Sequence, residues 1–206
     1  MTAPSYWQQA SDDLAAGDPQ MAELIERYAD AGLISRGDPF ATLARSVVGQ
    51  QISVKAADAV WLRFSANVGA ITPAAVLAAG ATGLAGCGLS RRKIEYLSDL
   101  AGHFASGHLD PLRWNAMSDA EVIAELTKVR GIGRWTAEMF LIFNQLRPDV
   151  FPLDDIGLQR AVFARYFSGQ KQTLKTLDRF GERWRPWRSV ATWYLWRSLD
   201  PVLVEY

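Results

Sequence analysis

The stretch Leu126-Thr127-Lys128-Val129-Arg130-Gly131-Ile132-Gly133-Arg134-Trp135-Thr136-Ala137 sets a Gly-x-Gly turn between two segments of helical periodicity. Glycine tolerates positive φ and lets a second backbone come close. The helix that starts after the turn points unpaired N–H groups and its positive dipole end outward. Such a turn is a natural seat for a phosphate, although a plain connection between two helices fits the local pattern as well. Ile132 between the glycines predicts an apolar anchor that holds the turn rigid and presents its amides ready-made.

Outward from this turn, the 3.6-residue periodicity recurs along the chain, and no run of alternating β-branched residues bounded by turn dipeptides appears. The fold class is all-α. The pattern predicts helices over residues 19–31, 40–67 with a break near Gly49, 73–79, 91–105, 119–129, 134–145, 156–166, 171–184 and 187–199. Thr72-Pro73, Ser90 and Ser118-Asp119-Ala120-Glu121 read as helix starts, the last as a capping box. Residues 80–88, rich in glycine and small side chains, read as a loop or a tightly packed helix connection. The N-terminal segment with Asp12, Asp13 and Asp18 is expected to form a helix that packs with the C-terminal ones.

The 206 residues suffice for one compact domain or two small lobes, here predicted as residues 39–130 and as residues 1–38 together with 131–206. With 49% hydrophobic and 21% charged residues the composition is that of a folded globule and not of a disordered chain. One cysteine, Cys87, excludes a disulfide scaffold, a four-cysteine zinc site and a cysteine-held iron–sulfur cluster. No basic-apolar leader and no long apolar run appear, so a soluble protein of the cytoplasm is expected, without a membrane partner. His103 and His108 stand apart from any cluster of metal ligands, and no catalytic metal is expected. Lysine plus arginine and aspartate plus glutamate balance at 22 each, so any polyanion partner must be recognised by local arrangement. Eight tryptophans, several near the C-terminus, offer either a core or a stacking pocket.

About twenty residues past the glycines, Arg147-Pro148-Asp149-Val150-Phe151-Pro152-Leu153-Asp154-Asp155-Ile156-Gly157-Leu158 reads as an extended loop that delivers two aspartates to a helix start. Aspartate at that position caps helices as a matter of course. Two in a row allow one to cap while the other projects into a cleft.

Together, Gly131–Ala137, the proline-bearing loop ending at Asp155 and Ser46-Val47-Val48-Gly49-Gln50-Gln51-Ile52-Ser53 resemble the helix-hairpin-helix DNA glycosylase superfamily, nearest to its DNA-3-methyladenine glycosylase II branch. The resemblance runs from about residue 39 to 199 and includes Gly88-Leu89-Ser90-Arg91-Arg92-Lys93 and Pro186-Trp187-Arg188 onward. It implies an all-α fold of two helical lobes with the active-site cleft between them. Residues 1–38 leave no room for the N-terminal β-rich domain of the best-known bacterial member, so a compact form is expected.

The resemblance also assigns roles. Asp155 matches the catalytic aspartate, and Asp154 is its structural neighbour. Trp135 and Trp196 match aromatic residues of the base pocket. Met139 stands where the bacterial pattern has a tyrosine, and Arg197 replaces another. Gly131, Ile132, Gly133, Arg134 and Thr136 form the hairpin that grips the DNA backbone. Gln51 matches the wedge that fills the space of an extruded base, supported by Gln50. Carbonyls of Thr127, Val129 and Ile132 match those that hold a structural sodium or potassium ion.

The chemistry suits these residue types. Breaking an N-glycosidic bond builds positive charge on the sugar, which a carboxylate stabilises while it orients the attacking water. An alkylated purine already carries positive charge and leaves readily, and a damaged base is cheaper to unstack. Trp135 stands where lyase relatives carry a Schiff-base lysine, so a monofunctional enzyme is implied. The expected function is excision of alkylated bases, chiefly of the 3-methyladenine type, from double-stranded DNA by a monomer. A non-catalytic binder of DNA structures and a glycosylase for deaminated or oxidised bases are the alternatives. Arg91, Arg92 and Lys93 fit either a phosphate contact or a solvated helix start.

Overall fold

In the computed structural model, which describes residues 3–199, every regular element among the described residues is helical. In chain order the helices are α1 Trp7–Gly17, α2 Pro19–Arg27, α3 Pro39–Gly49, α4 Val54–Val68, α5 Pro73–Ala85 and α6 Arg91–Ala105. They continue as α7 Pro111–Trp114, α8 Asp119–Leu126, α9 Arg134–Phe143, α10 Ile156–Tyr166, α11 Leu174–Gly181 and α12 Arg188–Leu199, with a 3-10 turn at Glu182–Trp184. The described residues fall into two compact units: 36–140 form one, and 3–35 join 141–199 in the other. The division lies inside α9, where Phe140 packs its ring edge-on against Trp114 at 5.2 Å and keeps the first turns of that helix with α3–α8.

Helix starts follow their caps. Ser53, Thr72, Ser90 and Ser118 each accept from the backbone N–H three residues on, and Ser118 with Glu121 completes the capping box. The predicted break near Gly49 is present as the turn between α3 and α4. Residues 80–85 differ from expectation: α5 continues through them across a kink at Gly80 (φ 58°, ψ −177°), a backbone that only glycine adopts without strain. The segment predicted as a helix from residue 171 begins at Leu174, because Thr173 takes the capping role. Helix α7 has four residues, too few to produce a periodic signal.

Each unit has its own aromatic core. In Arg36–Phe140, the rings of Phe40, Phe104, Trp114 and Phe140 meet edge-to-face in sequence at 5.3, 6.1 and 5.2 Å. In the other unit, Trp7 meets Trp193 edge-on at 5.2 Å and Tyr194 at 5.7 Å, joining α1 to α12. Around Trp184 stand Phe151, Tyr166 and Phe180 at 5.8, 5.6 and 5.4 Å. Trp7, Trp114, Trp184 and Trp193 are thus core residues, at most 8% exposed. Among the described residues no single helix is long and apolar enough to cross a membrane, and α4 with α5, which reach that length together, are bent by 102°.

Asp18 ties α2 into this second core. Its Oδ1 accepts from Gln20 N and Met21 N at 3.0 and 3.4 Å, capping the helix, while Oδ2 accepts from Tyr166 Oη at 2.9 Å and Trp184 Nε1 at 3.1 Å. Burial, and then the Asp18 charge, push the Tyr166 hydroxyl well above its ordinary pKa. Asp18→Asn keeps an oxygen for the cap but turns an amide N–H₂ toward the indole N–H, which cannot accept. A loss of about 2 kcal/mol in unfolding free energy is expected by urea denaturation. An unchanged midpoint would show that the Trp184 indole needs no acceptor.

Candidate active site

The loop before α10 is pinned along its length within its own unit. Arg188 donates to both Asp149 carboxylate oxygens, through Nε at 2.7 Å and Nη2 at 3.0 Å, and Arg185 Nη1 adds a contact of 2.6 Å. Val150 N donates to Ser189 Oγ at 2.9 Å, and Val150, Phe151 and Pro152 are buried. The loop closes with Asp155 N donating to Pro152 O at 2.9 Å. An extended segment with two prolines therefore arrives at α10 in one conformation.

At its end Asp155 is 9% exposed. Its Oδ1 accepts from Leu158 N at 2.6 Å, capping α10, and from Trp196 Nε1 at 2.8 Å. Trp196 is half-buried and stacks on Phe143 with centroids 5.7 Å apart and planes 13° apart. Gly157 leaves the room for this pair, since a Cβ there would lie 3.1 Å from Asp155 Oδ1 and 3.3 Å from Trp196 Cδ1. The sequence allowed one aspartate to cap and its neighbour to project. Instead Asp155 is itself the cap, and Asp154 is exposed. Arg197 lies over the rings of Tyr28 and Trp193 at 5.1 and 5.6 Å.

In the Arg36–Phe140 unit, a cavity of about 480 Å³ is lined by Trp135, Thr136 and Met139 of α9, by Gln50, Gln51 and Ile52 of the turn after α3, and by Gly131. Met139 is 5% exposed, whereas Trp135 is half-buried. Arg45 of α3 and Asp58 of α4, paired with each other, bring charge to the same wall, with the Arg45 guanidinium 5.3 Å from the centroid of the Trp61 ring. Gln51 is exposed and holds a positive φ of 59°, uncommon for a residue with a side chain. Gln50 donates through Nε2 to Gly131 O at 2.8 Å.

The hairpin shows why its two glycines differ. Gly131 has φ 85°, and a Cβ there would stand 2.2 Å from Tyr96 Cδ2, so both backbone and packing demand glycine. Gly133 is exposed with open space where its Cβ would be, and that leaves the backbone open to approach from outside. Ile132, 4% exposed, is the apolar anchor that its position predicts. Thr136 is 7% exposed, and Arg134 pairs with Glu138 at 2.9 Å. Arg130 N donates to Asp99 Oδ2 at 2.8 Å. Of the basic trio, Arg91 pairs with Glu95 at 3.4 Å, Arg92 donates to Tyr96 Oη, and Lys93 donates to Val48 O at 2.8 Å.

Of the residues singled out from the sequence, the structure thus places Gln50, Gln51, Gly131, Trp135, Thr136 and Met139 around one cavity, and Asp155 with Trp196 in one hydrogen bond. Sequence reading missed Arg45, Asp58, Phe143 and Gly157. Only Gly157, one residue into a helix directly after an aspartate, carried a local signal. Among the described residues no group of three or more His, Cys, Asp or Glu could hold a metal ion.

The chain is similar over most of its length to known DNA glycosylases. The DNA-3-methyladenine glycosylase 1 of Schizosaccharomyces pombe is 34% identical over 184 residues, covering 87% of this chain and 80% of the relative. The solved DNA-3-methyladenine glycosidase of Bacillus halodurans superposes with TM-score 0.81 and 35% identity over 91% of this chain and 89% of its own. The S. pombe 3-methyladenine DNA glycosylase in complex with abasic DNA superposes with TM-score 0.80 and 31% identity, over 96% and 98%. Residues 44–186 match the family described as HhH-GPD superfamily base excision DNA repair protein, and the chain belongs to that superfamily.

Proposed function

We propose that the protein is a monofunctional DNA glycosylase that extrudes alkylated bases, of the 3-methyladenine type and including 7-methylguanine, and hydrolyses their N-glycosidic bond to start base excision repair. The observation that carries this reading is Asp155: a carboxylate 9% exposed, oriented through one oxygen by Leu158 N and Trp196 Nε1. As a cap for α10 alone a neutral Ser or Asn would serve, and in a protein that only binds DNA a negative charge at this place would repel phosphates. In the reaction, the carboxylate stabilises the cationic sugar as the C–N bond breaks, and takes a proton from the water that attacks the anomeric carbon. The base leaves as a neutral purine, because its alkyl group had already made it cationic. Trp135 stacks on the electron-poor base, with Met139 beside it and Trp196 as the second aromatic partner. Trp135 has no amine with which to form a Schiff base, so the product is an abasic site in an intact strand.

Gly131, Gly133, Arg134 and Thr136 present the amides and side chains that grip phosphate, with Ile132 the buried anchor of the hairpin, and Gln51, supported by Gln50, fills the vacated stack. The carbonyls of Thr127, Val129 and Ile132 are neutral oxygen donors, a set suited to sodium or potassium. Val129 O accepts one hydrogen bond, from Ile132 N at 3.1 Å, and retains a second lone pair. Such an ion would add positive charge at the hairpin. On this reading the protein acts as a monomer on double-stranded DNA in the cytoplasm, at the nucleoid. With few phosphates gripped, the logarithm of its affinity should fall shallowly with the logarithm of salt concentration.

The test is incubation with duplexes carrying 3-methyladenine, 7-methylguanine, uracil or 8-oxoguanine, with released bases and abasic sites both counted. Release of the alkylated bases, with strands cut only after alkali or heat, is expected. Release of uracil or 8-oxoguanine alone would move the assignment to another lesion, and strand cleavage without alkali would overturn the monofunctional reading.

A further inference from the structure

We infer that Lys93 is a positioning residue for the Gln51 turn, and that α6 is the frame on which this turn and the hairpin are held as one piece. The inference rests on the glycosylase reading for its purpose and on contacts within the Arg36–Phe140 unit for its content.

Helix α3 ends at Gly49; Val47 O accepts from Gln50 N at 3.4 Å, and Val48 O has no helical turn after it to supply an N–H. Val48 O takes its donor from Lys93 Nζ at 2.8 Å, across 45 residues of sequence. A cation at this end also meets the negative pole of the α3 dipole. Lys93 is half-buried, its ammonium directed onto the end of α3 by the bond to Val48 O, and burial pushes its pKa down. Three residues on, the chain passes through the left-handed Gln51, a conformation costing about 1 kcal/mol or more that persists only where its surroundings hold it. Gln50 is fastened at the same place, to Gly131 O.

The same helix holds the hairpin. The Tyr96 ring packs against Gly131, Asp99 Oδ2 accepts from Arg130 N at 2.8 Å, and Glu95 Oε2 accepts from Arg130 Nη2 at 3.1 Å. Lys93, Glu95, Tyr96 and Asp99 occupy less than two turns of α6. A phosphate bound by the hairpin and a side chain driven into the base stack therefore load one rigid piece. If the tether to Val48 is cut, Gln51 can recoil when it meets the stack.

The probe is a duplex with a tetrahydrofuran abasic analogue opposite 2-aminopurine, whose fluorescence rises when a side chain enters the gap. This readout needs no base release, so it stands apart from the glycosylase assay. Lys93→Met is expected to lower the fluorescence rise at saturating protein, and to slow base release from alkylated duplex about tenfold, with salt dependence of binding unchanged. Lys93→Arg, which still donates, should recover most of both. In a Gln51→Ala background, Lys93→Met should add almost nothing, because the residue it positions is gone. Additive losses in the two backgrounds would overturn the inference. So would a salt slope reduced by about one phosphate contact, which would place the ammonium on DNA. Should Lys93→Met fail to fold, the same cycle is run with Lys93→Gln, whose shorter side chain cannot span the distance from α6 to Val48 O, and is decided by the same additivity. Absence of base release by the unmodified protein would defeat the glycosylase reading alone, leaving the fluorescence cycle to judge Lys93.

Discussion

Asp155→Asn is expected to lower the single-turnover rate of alkylated-base release about 100- to 1,000-fold, while affinity for a duplex bearing an abasic analogue changes by a factor of a few. The separation follows from what each oxygen does. Asparagine preserves a carbonyl oxygen to accept from Leu158 N and Trp196 Nε1, so the α10 cap and the indole keep their partners. What it removes is negative charge opposite the developing sugar cation, together with the ability to accept a proton from water. Asp155→Ala would confound this, since it abolishes the cap and leaves the half-buried indole N–H without its acceptor. Release by Asp155→Asn within threefold of the unmodified protein would overturn the catalytic role, and loss of binding in parallel with rate would make it structural.

Gly131→Ala is expected to destabilise the protein by about 3 kcal/mol and to weaken binding to abasic-analogue duplex. Two costs combine. A residue with a side chain at φ 85° is strained, by about 1 kcal/mol. The new methyl would also sit 2.2 Å from Tyr96 Cδ2 and 2.5 Å from Cγ, ring atoms next to the helix that cannot swing away as a flexible chain end would. Urea denaturation measures the sum. Combining Gly131→Ala with Tyr96→Ala separates the two costs, because the clash is then gone and the strain stays. The double variant should lose less than the two single losses added, by about 1 kcal/mol or more. Strict additivity would mean that the Tyr96 ring yields freely. Gly133→Ala is the contrast: with open space at its Cβ it should fold normally, so any loss of DNA affinity reports the approach of the partner.

Much of the fold was legible because its signals are local. Ser90 before Arg91, Ser118 with Glu121 and Asp155 before Ile156 each satisfy backbone N–H groups within three residues, so the starts of α6, α8 and α10 can be read directly. Helix ends were less legible. Gly80 reads as a stop, yet two helical stretches pack on either side of it and the chain kinks through. The eight tryptophans suggested a stacking pocket as readily as a core. Four of them are core, a distinction that depends on which face of each helix meets a neighbour.

The site divides in the same way. The sequence alone determined which residue types stand ready: a Gly-x-Gly turn with an apolar anchor, and an aspartate at a helix start behind a proline-bearing loop. These are statements about neighbours along the chain, and capping, turn geometry and side-chain chemistry operate over that range. Only the tertiary structure decided that Asp155 shares its oxygen with Trp196, 41 residues away, and that Gln50 reaches Gly131 across 81. It also decided that Lys93, charged and at an outward-looking helix start, turns its ammonium onto the end of α3. A hydrogen bond between distant residues depends on how helices pack, and nothing in the local spacing of either partner records the other.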